Sequence, residues 1–334
     1  MLNLKKGKAL LIAEIGGNHE GDIDKAKELM ISASEAGADI VKFQTYTANG
    51  LVNKHLRPDR YEHFQRFTLD DKDWISIAEE AKKNNIKFSS SLWESRFIKL
   101  LDDYICLYKV GSGDISNHDL INQFCELKKP VIFSTAMSTL DDISRTMEFI
   151  VSRYPNIIQE NNLGILQCTA MYDEPNNNEV NLSVMGNFKE RYKCIVGYSD
   201  HSIGLNGCIA AISSGAEIIE FHYTDDKSKE FRDHKLSLDC NDLKLLSSFN
   251  EDIDTLIGSS RKEILLSEKA NKKEFRRGLY LKQDTKLGSL ILKDDLIALR
   301  PDEGISAWDM NKIVNKKAKR DIAALLPLKE DYFE

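Results

Sequence analysis

No run of about 18 consecutive apolar residues occurs in this 334-residue chain, which excludes a helix that spans a bilayer. The opening MLNLKKGKALLIAEIGG has too short an apolar stretch for a secretory leader, and Glu14 interrupts it. Positive charge is not in excess either. The formal net charge of −7 argues against nucleic acid or an anionic membrane as the main partner, since both require a basic surface. It leaves room for a small anionic substrate, because a few buried lysines create a local positive pocket. Cysteine pairs at metal-type spacing are also missing. The six cysteines are scattered, most of them in apolar segments such as KCIVGYS and LGILQCT. They read as buried reduced thiols of a cytoplasmic protein. No GxGxxG follows the first apolar run, since IGGNHEG lacks that spacing, which argues against an open dinucleotide-binding sheet.

Composition is that of a soluble globular protein, 42% hydrophobic and 30% charged, long enough for one large domain or one large and one small. Eight short apolar runs punctuate the chain between Ala9 and Thr224: ALLIAEIGG, DIVKFQTY, IKFSSSLW, ICLYKVGS, PVIFSTAM, LGILQCTA, CIVGYSDH and EIIEFHYT. Amphipathic helical patterns fit the gaps at 24–36, 73–84, 95–102, 119–127, 141–153 and 203–214, with a shorter one at 181–190 and a last one at 241–257. Continuous apolar strands alternating with helices predict a parallel sheet covered on its outside, and eight units predict a closed (β/α)8 barrel. The character changes at Gly258. We therefore expect a barrel domain over 1–257, a charged helix or linker over 258–275, and a small second domain over 276–334. The basic run NKIVNKKAKR near the end reads as a solvated face rather than a nucleic-acid site.

In a (β/α)8 barrel the strand C-termini and the loops after them form the active site. Polar residues end all eight strands: Glu14, Asn18 and His19; Lys42, Gln44 and Tyr46; Ser89, Ser90 and Ser91; Lys109, Ser112 and Asp114; Ser134 and Thr135; Gln167 and Thr169; Ser199, Asp200 and His201; and His222. One such residue is usually a satisfied core group, whereas a full ring of them would demand a buried partner for each. Two lysines with several serines suit an anion bearing both phosphate and carboxylate, and the glycines of VGSGD let the backbone approach an oxyanion. Lys42 could equally form an ion pair with Glu14 on the neighbouring strand. His201 and His222 end consecutive strands, with Asp233 downstream, and could converge on one divalent cation, where imidazole ligands suit Mn, Fe, Co or Zn.

At these residues the chain resembles the sialic acid synthase family. AEIGGNHEGDIDKAKELM is similar to the family's opening, and VKFQTY, YKVGSGD, VIFSTAM, QCTAMY, GYSDHS and EFHYTDD match its later strand ends in order. RRGLYLKQDTKLGSLILKDDLIALRPDEGI resembles its C-terminal antifreeze-like (SAF) domain. The resemblance implies condensation of phosphoenolpyruvate with the aldehyde of N-acetylmannosamine or a related acylamino sugar, yielding a 2-keto acid and phosphate. It implies His201 and His222 as ligands of a divalent metal, usually Mn²⁺, with Mg²⁺ or Co²⁺ as alternatives. It assigns Lys42, Lys109, Ser112, Ser134 and Ser199 to phosphoenolpyruvate. Glu14 and Asp114 match acidic positions near the reacting carbons, either of which could be the base for water. Gln44, Thr169, Tyr172 and Asp233 fall among the substrate-binding positions. Arg300 matches an arginine that reaches the sugar's acyl group from the partner chain of a domain-swapped homodimer.

The departures fall mainly on the acceptor side. Asp114 stands where the family often has Glu, Ala170 replaces a commonly polar residue, Asp173 replaces the usual proline after Tyr172, and KEFRD lacks the usual Pro-Gly-Pro turn. Legionaminate or pseudaminate synthesis from a 6-deoxy diacetamido sugar is thus an alternative within the same reaction. A synthase acting on a pentose or tetrose phosphate would need a second cationic cluster at the strand ends, and none is present. A non-catalytic sugar-binding protein would not need both histidines and both lysines.

Overall fold

The computed structural model describes residues 2, 4–5, 7–172 and 174–334, the side chain of Arg232 excepted. Two compact units divide the chain, Met1–Gly258 and Ser259–Glu334.

The first unit is a closed barrel of eight parallel strands in sequence order. They are β1 (Leu10–Glu14), β2 (Ile40–Thr45), β3 (Phe88–Leu92), β4 (Ile105–Val110), β5 (Val131–Ser134), β6 (Leu163–Cys168), β7 (Ile195–Asp200) and β8 (Ile218–His222). Each lies within the apolar run that predicts it. β8 pairs with β1 to close the cylinder, with Glu14 in register with both His222 and Lys42.

Strand alternation sorts the side chains. Residues facing outward, such as Ile219 and Phe221, join the helices in one large apolar cluster. Inward-facing Leu10, Ile12, Ile40, Leu107, Ile132, Leu166, Ile195 and Ile218 form a separate cluster that fills the lower barrel. Gly197 belongs to this packing: a Cβ there would lie 2.3 Å from the carbonyl oxygen of Ile218 and 2.7 Å from Leu166. One strand step above this floor the inward positions become polar or charged: Lys42 above Ile40, Lys109 above Leu107, Ser134 above Ile132, Glu220 above Ile218.

The expected helices are present at Ile23–Glu35, Asp71–Lys83, Arg96–Leu101, His118–Glu126, Leu140–Arg153, Val184–Tyr192, Asn206–Ser213 and Cys240–Ile257. Their starts are chemically marked. Thr139 and Asp142, for example, exchange side-chain and backbone hydrogen bonds in a capping box. Sequence patterning misses two short helices between β2 and β3, Ala48–Leu51 and Pro58–Phe67. Phe67 is the only buried residue of the second, so no apolar stripe announces it. Arg232–Leu236, after β8, is missed for its brevity. Among the described residues no helix is long and apolar enough to cross a membrane.

The second unit begins with a helix, Leu266–Phe275, inside the segment expected to be helix or linker. An antiparallel pair, β9 (Gly278–Leu281) and β10 (Leu296–Leu299), follows, with its own core of Leu279, Leu281, Ile291, Leu296, Ile313 and Phe333.

Candidate active site

Above the apolar floor lies a cavity of about 350 Å³ opening at the strand C-termini. Of the residues singled out from sequence, Glu14, Lys42, Gln44, Lys109, Ser112, Asp114, Ser134, Tyr172, Ser199, His201 and His222 line it.

Four charged side chains meet at its base, each at most 6% exposed: Glu14, Lys42, Lys109 and Glu220. Lys42 is in direct ion contact with Glu14 and lies 3.8 Å from Glu220. The Lys109 ammonium lies 3.4 Å from Glu220 and donates to Ser134 Oγ at 2.6 Å. Ser199 Oγ donates to Glu220 Oε1 at 2.9 Å. Burial pushes the Lys42 ammonium down to about 7, against the pull of Glu220. Burial alone would raise the Glu220 carboxyl, but Lys109 and Lys42 hold it at about 2. Desolvating four charges costs several kcal/mol per ion, and apolar residues of similar volume are often as stable or more so. Their retention at the mouth of a barrel therefore points to ligand chemistry. An entering anion can take over the lysines and hydroxyls that Glu220 and Glu14 now satisfy. The β4–β5 side completes the cradle, where the Ala136 N–H donates to Ser112 Oγ at 3.0 Å and Gly111 and Gly113 line the wall.

The imidazoles stand beside these groups at the ends of β7 and β8, His222 two residues beyond Glu220 and in register with Glu14, His201 two residues beyond Ser199. His201 and His222 have ring centroids 5.2 Å apart. His201 Nε2 lies 3.0 Å from the Tyr172 hydroxyl and its Nδ1 3.5 Å from Cys168 Sγ. Burial first, and His222 second, push the His201 imidazole down to about 3, so it is neutral and has a lone pair to offer a cation. Asp233 Oδ2 is 3.9 Å from His222 Nδ1. Among the described residues no group of three His, Cys, Asp or Glu side chains is arranged to hold a metal ion. The neutral His201 imidazole, with His222 beside it, fits a divalent cation only as part of a shell that substrate or water completes, which is the open coordination a catalytic metal needs.

Asp114, also on the cavity wall, has its carboxyl raised above the ordinary range by burial, with Trp93 and Asn117 pulling the other way.

Three of the expected site residues do not line this cavity. Thr169 donates to the Glu179 carbonyl at 2.8 Å and borders a neighbouring depression, its hydroxyl serving the loop after β6. Asp233 reaches the site through His222. Arg300 belongs to the second unit, its guanidinium 5.5 Å over the Phe275 ring. Asp173 lies outside the described residues. Tyr46, Gln167 and Asn18 are also structural: Tyr46 packs on Phe64 and Trp93, Gln167 donates to the Val180 carbonyl, and Asn18 bonds Tyr223 and Ser237.

Sequence reasoning misses Glu220, Trp93 and Cys168 on the cavity wall. Glu220 had a signal. It stands two residues before His222 in IIEFH and so faces the same side of the strand. Trp93, just past β3, had none.

The family model described as the NeuB family matches residues 29–262, and that of the SAF domain matches residues 276–334. The chain is 34% identical over 331 residues to the N,N'-diacetyllegionaminic acid synthase of Campylobacter jejuni, covering 94% of this chain and 98% of that protein. It is 33% identical to the enzyme of the same name from Legionella pneumophila, covering 97% and 94%. The crystal structure of the N-acetylneuraminic acid synthetase of Leptospira borgpetersenii in complex with citrate superposes with a TM-score of 0.73 at 26% identity, over 81% of this chain and 93% of that one. With more than half its length matched, the chain belongs to the NeuB family of synthases and carries a C-terminal SAF domain.

Proposed function

We propose that this enzyme condenses phosphoenolpyruvate with the open-chain aldehyde of an acylamino hexose, releasing phosphate and forming a nonulosonic acid. The observation that carries this reading is the buried pair Lys42 and Lys109, backed by Ser134 and Ser199, in one cavity with the imidazoles of His201 and His222.

Lys109, Ser134 and Ser112 bind the phosphate, and Lys42 with Ser199 balances the rest of the anion's charge. Binding in this orientation presents the enol C3 to an aldehyde carbon held beside His201 and His222. C3 forms the new carbon–carbon bond as the aldehyde C=O π bond opens, its oxygen taking up a proton to become a hydroxyl, and C2 is left electron-poor. Water adds at C2, its proton taken by a carboxylate, and the C2–O bond to phosphate then breaks, the electron pair leaving with the phosphate as the C2 hydroxyl gives up its proton to become the keto group. Glu14 is engaged with Lys42, whereas burial makes Asp114 the stronger base, which favours Asp114 for the proton transfer. A divalent cation held by His201 and His222, Mn²⁺ by resemblance, would polarise the aldehyde oxygen as a Lewis acid. Tyr172, Gln44 and Asp233 orient the acceptor.

Between N-acetylmannosamine and a 6-deoxy diacetamido hexose, the two legionaminic acid synthases described above favour the diacetamido sugar. Six unpaired cysteines support a reducing, cytoplasmic location. We also assign Arg300 to the acceptor's acyl group, supplied within a domain-swapped homodimer. Arg300→Ala should then raise the acceptor KM and spare phosphoenolpyruvate, and heterodimers with a His222→Ala chain should regain about half their sites if one mixed site carries both lesions.

The test is phosphate release from phosphoenolpyruvate with a panel of acceptors, the product identified by mass spectrometry. Release with acylamino hexoses, abolished by chelation and restored by Mn²⁺, is expected. Release with pentose or tetrose phosphates alone would replace this reading with that of a shorter keto-acid synthase.

A further inference from the structure

The segment GGNHEG after β1 stands among the sequence motifs, yet Gly17, Asn18 and Glu20 do not line the cavity. All three instead make contacts with the chain that carries Asp233. Asn18 is fully buried, and its Nδ2 donates to the Tyr223 carbonyl and to Ser237 Oγ, both at 2.9 Å. Ser237 in turn donates to the carbonyl oxygen of Asp233 at 2.6 Å. Glu20 Oε1 lies 3.1 Å from Nε2 of the buried His234, whose Nδ1 is 2.6 Å from Thr224 Oγ1. Gly17 lies against Phe231: a Cβ there would sit 2.6 Å from Phe231 Cζ. Phe231 is held on its other side by Phe67 and His63, with ring centroids 4.8 and 5.8 Å away. Asp233 thus sits on a short helix gripped on both flanks by one loop more than 200 residues earlier in the chain.

We propose that Gly17, Asn18 and Glu20 are positioning residues that set the Asp233 carboxylate beside His222, and that through it they control use of the acceptor but not of phosphoenolpyruvate. The proposal rests on the assignment of Asp233 to the acceptor side. The five-residue helix Arg232–Leu236 is too short to hold its own geometry. The KEFRD sequence before it contains no proline or glycine to stiffen the turn, so the fixing must come from outside. Asn18 is the centre of this grip. Replacing it by the isosteric aspartate removes both donors and sets an acceptor against the Tyr223 carbonyl. Ser237 would then turn its O–H toward the new carboxylate and release the Asp233 carbonyl.

Steady-state kinetics of Asn18→Asp, Glu20→Ala, Glu20→Gln and Asp233→Asn, with each substrate varied in turn, test this. Asn18→Asp should raise the acceptor KM about 10- to 100-fold, the scale expected when a group is misplaced by about 1 Å, and leave the phosphoenolpyruvate KM within about twofold. The double variant Asn18→Asp/Asp233→Asn should be no worse than Asp233→Asn by more than about twofold, because nothing is left to position. Glu20→Gln keeps an acceptor oxygen for His234 and should recover most of what Glu20→Ala loses. Should Asn18→Asp fail to fold, Glu20→Ala, at the exposed end of the loop, takes its place in the same cycle. Multiplicative losses in the double variant, or a wild-type acceptor KM for Asn18→Asp where Asp233→Asn raises it, would overturn the proposal. Amide hydrogen exchange over residues 231–238 separates this failure from that of the underlying assignment. Exchange about tenfold faster in Asn18→Asp, with acceptor KM unmoved in Asp233→Asn, supports the grip and removes Asp233 from the acceptor site. Unchanged exchange overturns the grip itself.

Discussion

The strand-borne and the loop-borne parts of the site are held by different means. Lys42, Lys109, Ser134, Ser199 and Glu220 all stand on strands, directly above the apolar floor, and their contacts run between adjacent strands or, from Lys109 on β4 to Glu220 on β8, straight across the barrel. Tyr172 and Asp233 stand on connections after β6 and β8, and Asp233 is kept in place by a loop at the far end of the domain's sequence. A barrel strand cannot shift without disturbing its whole ladder, so the strand-borne charges are fixed in place before any ligand arrives. The loop-borne part rests on a few hydrogen bonds and one aromatic contact. On the function proposed above, the common substrate meets the strands and the variable substrate meets the loops, which is how a barrel changes specificity without changing its chemistry.

The comparison breaks most sharply at Glu220. Glu220→Leu leaves two buried ammonium groups with Glu14 alone, and we expect a loss of about 3–5 kcal/mol in urea denaturation. Unchanged stability would show that the lysines are satisfied without it. Next comes Lys109→Met, which removes one charge-assisted contact to the anion. kcat/KM for phosphoenolpyruvate should fall by about ten- to a hundredfold, equivalent to roughly 1.5–3 kcal/mol. Equal losses for both substrates would erase the distinction between the two parts of the site.

A pH experiment probes the loop side. His19 packs edge-on against Trp74, its Nδ1 accepts the Gly21 N–H at 3.1 Å, and burial lowers its imidazole to about 4. Between about 6.5 and 4 the unfolded chain binds a proton that the folded chain refuses. Stability from this residue is therefore complete above about pH 6.5 and falls as pH drops toward 4, by at most about 1.4 kcal/mol per pH unit. His19→Phe should flatten that slope relative to wild type in unfolding curves from pH 7 to 4.5, whereas parallel slopes would show that His19 is not the titrating group. The smallest effect is expected at Thr169→Val, which loses the bond to Glu179. It should cost about 0.5–1.5 kcal/mol of stability and leave both KM values within about twofold. A large kinetic defect would return Thr169 to the cavity wall.

The same division explains what could be read in the sequence. Every barrel strand was legible, because eight continuous apolar runs have one economical closed arrangement and their ends must carry the chemistry. Lys42, Lys109 and His222 were legible for that reason. Glu220 was within reach of the same argument, since the period of two that turns His222 inward turns Glu220 inward as well. The grip of Asn18 on Ser237 was not legible. It joins residues 219 apart, and nothing in GGNHEG or KLSLD states that the two segments touch. The polar ring also overstated the site. Asn18, Gln167 and Thr169 satisfy backbone carbonyls, and the sequence does not distinguish a polar residue that supports a loop from one that meets a ligand.

The central claim is that Lys109 and its strand-borne neighbours bind phosphoenolpyruvate, while Asp233 and its loop serve an acylamino sugar. It is tested most directly by measuring phosphate release in two concentration series, one per substrate, for wild type, Lys109→Met and Asp233→Asn. The account predicts a crossed pattern, in which Lys109→Met raises the phosphoenolpyruvate KM alone and Asp233→Asn raises the acceptor KM alone. Phosphate release that needs no acceptor, or variants that shift both constants together, would contradict it.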